Sequence, residues 1–289
     1  MKLSHAVRAL HAVAGREVAK FVRQTGRLFS ALVRPALWLI VFAAGFQNVF
    51  GVSIIPPYQT YIEYQVYIVP GLLGMVLLFN GMQSSLAMVY DREMGMMRLL
   101  LTAPLPRWFL LLAKLIAGTF LSVLQAYAFL LLASLFAIDI GLDMPVLTIG
   151  SAAVYAVDIP WLSWLLVLPA LILSGMMLGA LGLVLSVYVK QLENFAGTMN
   201  FVIFPMFFIS PALYPLWKLR ESGAEWIYQL ASWNPFSHAV ELIRFAFYGQ
   251  FAATSCLIVL ISLLVFFVIA VVGYDPQRGL LKRTGRPGG

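Results

Sequence analysis

The chain has 289 residues, 62% of them hydrophobic and only 11% charged, with a net charge of +7. A soluble domain of this size carries about 25% charged residues, so the composition excludes an ordinary soluble protein, and the apolar runs leave no room for a soluble domain beside them. The basic residues flank those runs, which assigns them to topology and lipid headgroups rather than nucleic acid, and the single cysteine, Cys256, excludes an intrachain disulfide or a cysteine-based metal cluster.

Residues 3–28 read as an amphipathic helix. Leu3, Val7, Leu10, Ala14, Val18 and Phe21 mark an apolar face, and Arg16, Lys20, Arg23 and Arg27 form a basic stripe. That pattern suits a helix lying on an anionic membrane surface; an amphipathic helix packed on other protein is the plainer alternative. No apolar core of the length of a signal peptide precedes the first span, so the segment reads as an interfacial arm rather than a cleavable leader.

Six spans follow. The first covers about Ala36 to Phe50 and begins near Ala31, with Arg34 and Pro35 at its entrance. The second is Tyr67 to Tyr90, the third Leu115 to Ile138, the fourth Ile159 to Val189, and the sixth Phe251 to Tyr274. The fifth, Phe195 to Trp217, is interrupted by Pro205, Pro211 and Pro215. A 24-residue helix reaches roughly 36 Å, enough to cross a bilayer core with some tilt. Residues 144–157 are apolar but short, and are read as an interfacial segment.

The stretch Tyr90 to Lys114 separates spans two and three and concentrates charge: Asp91, Arg92, Glu93, Arg98, Arg107 and Lys114. Charges near a bilayer centre cost roughly 2.5–3.5 kcal/mol each, so this segment is expected to be wet or interfacial. Met94, Met97, Leu100 and Leu101 keep helical spacing until Pro104 and Pro106 stop it. A short amphipathic helix is therefore expected here, presenting charge outside the lipid.

The charges also orient the chain. The N-terminal arm, the 90–114 connector, the 190–194 turn and the tail hold 16 of the 19 Lys and Arg residues. The opposite loops hold Lys218, Arg220 and Arg244 among seven acids. The positive-inside rule places both termini and the connector in the cytoplasm. The expectation is an all-α membrane protein. It comprises an interfacial helix at 1–30, a six-helix transmembrane domain at 31–274 and a cytoplasmic tail at 275–289.

Between spans five and six, Trp226, Ile227 and Leu230 suggest one short helix. Asn234 and Pro235 then read as the N-cap and first position of a second, whose apolar face is Phe236, Val240, Ile243 and Phe247. Glu241 and Arg244 are spaced to pair. Both helices are expected to dip into the outer leaflet.

Catalytic and metal constellations are weak. Asp139 and Asp143 have a spacing reminiscent of carboxylates that bind magnesium pyrophosphate, but no partner motif. His5, His11 and His238 are scattered, and no phosphate-binding glycine loop occurs. No metal or cofactor site is expected on this chain, nor enzymatic activity. Ser174, Gly175, Gly179 and Gly182 on span four suit close helix packing. Asn80, Gln83, Ser84 and Ser85 in span two, with Thr198 and Asn200 in span five, are polar groups within the membrane. They serve either as interhelical hydrogen bonds or as the lining of a pathway.

Taken together, these features resemble the type-2 permease family of ATP-binding-cassette transporters. Asp91-Arg92-Glu93, Gly95, Arg98-Leu99-Leu100, Ala103-Pro104 and Arg107 resemble that family's cytoplasmic loop after the second span, and Lys114 the basic residue opening its third. Asn234 to Glu241 with Arg244 resembles its motif before the last span. The chain departs at Met96-Met97, so Arg98 stands where other members carry an acid. Ser53–Pro57, Tyr67–Gly71 and Leu192–Gly197 resemble permeases associated with quinoprotein, PQQ-dependent alcohol dehydrogenase systems.

The resemblance implies an exporter of two permease copies, a homodimer, and two ATPase subunits that carry ATP and magnesium. It moves an amphiphilic or polymeric substrate out of the cytoplasm or inner leaflet across a bacterial inner membrane. Asp91, Arg92, Glu93, Gly95, Arg98 and Pro104 would form the coupling helix on the ATPase. Arg16, Lys20, Arg23 and Arg27 would meet that subunit or membrane lipid. Asn80, Gln83, Thr198 and Asn200 would line the pathway, and Asn234, Pro235, Glu241 and Arg244 would form the outer re-entrant motif. The other classes considered are a lipid- or prenyl-modifying membrane enzyme and a passive anchor of a redox complex.

Overall fold

Long apolar runs become long helices, because a backbone deprived of water must satisfy its own polar groups. A computed structural model describes residues 3–23, 33–41, 57, 64–93, 106–135, 145–149, 152–155, 161–189, 191–221 and 223–274. Helix α1 is Leu3–Arg23, and α2 covers residues 33–41. Then come α3 at Tyr64–Glu93, α4 at Arg107–Leu135, α5 at Trp161–Tyr188 and α6 at Leu192–Phe208. Three short helices, α7 at Leu216–Glu221, α8 at Glu225–Trp233 and α9 at Pro235–Phe247, lead into α10 at Ala253–Gly273.

Four helices among the described residues are long and apolar enough to cross a membrane: Val66–Asp91, Arg107–Ser134, Ser163–Tyr188 and Ala253–Gly273. They coincide with the second, third, fourth and sixth expected spans. The rest of the first span, beyond residue 41, lies outside the described residues.

The fifth span is shorter than its apolar run. Helix α6 contains Pro205 and ends at Phe208 after 17 residues, or about 26 Å, short of the roughly 30 Å core. Residues 209–215 are non-helical before α7 begins. The proline ring removes a donor and clashes with the preceding turn, so the run through Trp217 does not form one rod.

The short amphipathic helix expected between Met94 and Pro104 lies outside the described residues, but the end of the connector differs from expectation. Helix α3 continues to Glu93, and α4 starts at Arg107, seven residues before Lys114. Lys114 lies inside a continuous helix rather than at its mouth. Within residues 144–157, expected at the interface, β1 (Pro145–Ile149) and β2 (Ala152–Tyr155) pair antiparallel, with an irregularity between Pro145 and Leu147. Apart from this strand pair, the regular elements described are helical.

Helix α5 is the hub, packing against α3, α10, α4 and α9. Of the most apolar stretch of α3, 78% is buried, against 17% for α10, so α3 is interior and α10 faces outward. Close approach of α3 and α5 depends on glycine. A Cβ on Gly81 would lie 3.0 Å from the Gly179 nitrogen, and one on Gly182 would lie 2.8 Å from the Gly81 oxygen. Small residues at the crossing let dispersion contacts accumulate where lipid tails compete with every apolar side chain. The buried core above and below this crossing includes Leu72, Leu77, Phe129, Leu171 and Leu178.

Candidate functional site

At the basic end of the bundle, three helices converge on one carboxylate. Asp91, at the last turn of α3, is buried. Its Oδ2 accepts from Lys114 Nζ on α4 at 3.1 Å and from Arg16 Nη2 on α1 at 3.1 Å. Arg16 also bridges Glu17 at 3.1 Å. Lys114 is itself buried, and its ammonium is tolerable there because the carboxylate compensates its lost hydration. The sequence had placed Asp91 on an outward charged face. Here it ties the arm to the ends of two spans.

Two residues later, the exposed Glu93 accepts from the backbone N–H of Leu192 at 2.9 Å. That N–H is a free donor at the start of α6, where the helix end favours a negative group. The end of α3 is therefore bonded to α1, α4 and α6 within three residues. The chain that leaves at Glu93 and returns at Pro106 springs from this fixed base.

Beside it, α3, α4 and α6 line a partly open cavity of about 570 Å³, with Glu17 also on its lining. Asn80, Gln83 and Ser84 contribute from α3, and Ser122 and Gln125 from α4. Ser122 Oγ donates to the Gly118 carbonyl at 2.8 Å. Asn80 Nδ2 and Gln125 Oε1 are buried with no hydrogen-bond partner among the described residues.

At the opposite end, polar side chains hold the broken end of α6. Asn234 caps α9 by accepting from Phe236 N–H at 3.0 Å. Its Nδ2 donates to the Met206 and Ile209 carbonyls, both at 2.7 Å. Pro235 occupies the first turn of α9. Arg244 donates to the Pro211 carbonyl at 2.6 Å, and its guanidinium lies 4.2 Å from the Tyr67 ring centroid. Tyr67 and Tyr64 donate to the Pro211 and Leu213 carbonyls at 2.9 and 2.8 Å. Burial pushes the Tyr64 phenol up to about 12, so it remains a donor. The orphan carbonyls after α6 thus find donors inside the protein, as a water-poor setting requires.

The expected Glu241–Arg244 pair does not form. Arg244 reaches across to α3 and the 209–215 turn, while Glu241 accepts from Ser255 Oγ at 3.0 Å and faces His238 at 3.9 Å. Spacing of three along a helix permits a pair, but buried carbonyls competed for the guanidinium.

Of the four pathway candidates, Asn80 and Gln83 line the cavity. Thr198 instead donates to the Asn194 carbonyl at 2.8 Å, and Asn200 is exposed on α6. Gln125 and Ser122 were missed; a lone amide inside an uncharged run was their signal. Of the basic stripe, Arg16 joins the Asp91 network and Arg23 is exposed. The side chains of Lys20 and Arg92, and all of Arg27, Gly95, Arg98 and Pro104, lie outside the described residues. So do Asp139 and Asp143. Among the described residues, no group of three or more His, Cys, Asp and Glu could hold a metal ion.

A sequence model described as ABC-2 type transporter matches residues 8–248. The transport permease ycf38 of Porphyra purpurea is 26% identical over 242 residues, covering 83% of this chain and 74% of that one. Its namesake in Cyanophora paradoxa is 24% identical over 286 residues, covering 96% and 90%. Nodulation protein J of Rhizobium leguminosarum bv. viciae is 30% identical over 123 residues, covering 43% and 44%.

Proposed function

Because this chain belongs to the ABC-2 type transporter family, we propose that it is the permease of an exporter whose energy comes from a separate ATPase. Membership makes it a membrane transporter subunit rather than an enzyme, and permeases of this family work with an ABC ATPase subunit. Two copies form the membrane channel, and two ATPase chains bind ATP and magnesium. Both termini and the 94–105 segment face the cytoplasm of a bacterial inner membrane.

The observation that carries this reading is the knot at Asp91. A segment that transmits force needs a stiff base. Arg16, Lys114 and the Leu192 N–H fasten the end of α3 to the arm, to α4 two turns from its start, and to the start of α6. Displacement of residues 94–105 by an ATPase would move these helices together. The cavity on α3, α4 and α6 opens beside that base, close enough to change shape when it moves. Export of an amphiphile from the cytoplasmic leaflet fits this layout.

Affinity purification of a tagged permease from native membranes tests the proposal. A co-purifying ATP-binding protein and a twofold permease crosslink are expected. A monomer without a nucleotide-binding partner would leave the passive-anchor reading.

A further inference from the structure

We propose that Arg34 selects the charge of the cargo: a cation at mid-membrane depth without a carboxylate of its own, it holds a phosphate or carboxylate group in passage. This deepens the permease reading and rests on it for the passage, though anion binding is measurable by itself.

Two independent contacts fix the depth of Arg34. Its guanidinium lies 4.1 Å from the Phe79 ring centroid. Phe79 precedes Asp91 by twelve residues of one continuous helix, roughly 18 Å. Trp38, one turn further along α2, packs edge-on against Phe207, with ring centroids 6.1 Å apart. Phe207 stands fifteen residues beyond Leu192 on α6, roughly 22 Å, so Arg34 one turn lower is again about 17 Å from the Asp91 end. The hydrocarbon core is about 30 Å thick. The sequence set Arg34 at the entrance of the first span; the structure carries its charge to the middle.

A guanidinium keeps its proton when buried, and a charge at this depth calls for a partner. Among the described residues Arg34 has neither a hydrogen bond nor an ion pair, only the face of the Phe79 ring. The twelve acids of the chain lie at the ends of the spans or between them. Asp91, the nearest along α3, already holds Lys114 and Arg16. Glu241 is turned to Ser255 and His238. A second copy of the chain has the same sequence and brings no carboxylate to this depth either. The phosphates of the bilayer stay at its interfaces, about 15 Å away. The counter-ion that remains is one in transit across the membrane.

A guanidinium fork bonds phosphate or carboxylate oxygens in pairs and repels cations. Stacking on Phe79 fixes its plane. The groove beside it, bordered by Met75, Val76, Asn80 and Gln83, holds only about 10 Å³. It is too shallow to enclose a headgroup, so it reads charge rather than shape. Asn80 and Gln83 also border the larger cavity, which sets the cation at the edge of that space.

The test is equilibrium binding to the full-length permease in nanodiscs, with no ATPase present. The probes are radiolabelled dodecyl phosphate and dodecyltrimethylammonium, which carry opposite charge on the same chain. The wild type is expected to bind dodecyl phosphate saturably and at least about tenfold more tightly than Arg34→Gln. Arg34→Lys keeps the charge and should recover part of the difference. The ammonium probe should bind Arg34→Gln at least as tightly as the wild type. The thermal midpoint of Arg34→Gln should hold or rise, because a buried charge without a counter-ion is removed. Each measurement is made in phosphatidylcholine alone and with phosphatidylglycerol added, and the ratio of wild type to Arg34→Gln should survive in both. A ratio erased by phosphatidylglycerol would make this a site for a resident anionic lipid and overturn the assignment to cargo. Equal binding of dodecyl phosphate by wild type and Arg34→Gln would overturn the proposal. So would a loss that Arg34→Lys does not recover and that comes with a lowered midpoint, since it would mark a packing role. None of these results touches the permease reading, which fails separately if no ATPase co-purifies.

Discussion

Lys114 follows Asp91 by 23 positions in the chain, yet its ammonium lies 3.1 Å from the Asp91 carboxylate and both side chains are buried. The two residues close the base of the α3–α4 pair. Breaking a buried ion pair by removing one partner costs about 3–5 kcal/mol, because the survivor stays charged and unpaired. Lys114→Met should therefore lower the unfolding free energy by a large part of that amount. Arg16 softens the loss, since it reaches the same oxygen from a side chain 31% exposed. The double variant Asp91→Leu/Lys114→Met should recover most of the stability. Denaturation of the purified permease in detergent, run as a double-mutant cycle, reads both numbers.

The cap at Asn234 predicts a split between two substitutions. Asn234→Ala loses the bond to Phe236 N–H, worth about 1 kcal/mol, and the two donations to the Met206 and Ile209 carbonyls. Asn234→Asp keeps the cap acceptor but removes the donor and places a charge beside two carbonyl oxygens. The aspartate variant should be at least as destabilised as alanine, although aspartate is an excellent cap in isolation. Thermal unfolding of both variants checks it; a stable aspartate variant would mean that the link to α6 carries no weight.

These details show where the chain was legible. Spans two, three, four and six could be read from uninterrupted apolar runs, because only helices satisfy a backbone in lipid. The second short helix was legible too: Asn234 and Pro235 open it, and Phe236, Val240, Ile243 and Phe247 are buried. The edge of span three was misplaced because a lone lysine reads as an interface marker. A buried partner 23 residues away hides it instead. The fifth span was read as interrupted by Pro205, Pro211 and Pro215, and the helix does stop within that run, at Phe208, although Pro205 itself lies inside it. Glu241 and Arg244 were paired by local spacing, whereas the carbonyl of Pro211 claims the arginine. The cavity needed three dimensions, since Asn80 on α3 and Gln125 on α4 come to line one space only when the two helices pack.

Topology is open to direct labelling. Cysteine introduced at Thr60 or Ser222, in a Cys256→Ser background, should react with a membrane-impermeant maleimide in intact cells. Cysteine at Thr102 should not. The basis is the 16-to-3 division of basic residues. The reverse pattern would put the Asp91 knot on the outside and remove it from any cytoplasmic partner.

The central claim is that the segment from Asp91 to Pro104 couples this permease to an ATPase. Charge reversal on a free surface loop changes stability by less than about 0.5 kcal/mol, whereas a charge desolvated against a partner is worth about 2–5 kcal/mol. The measurement is ATPase pull-down together with substrate-stimulated ATP hydrolysis for Arg92→Glu, Arg98→Glu and Gly95→Trp, normalised to permease level. The account predicts wild-type insertion with association or stimulated hydrolysis reduced at least about tenfold. Wild-type association and hydrolysis in all three variants would contradict it.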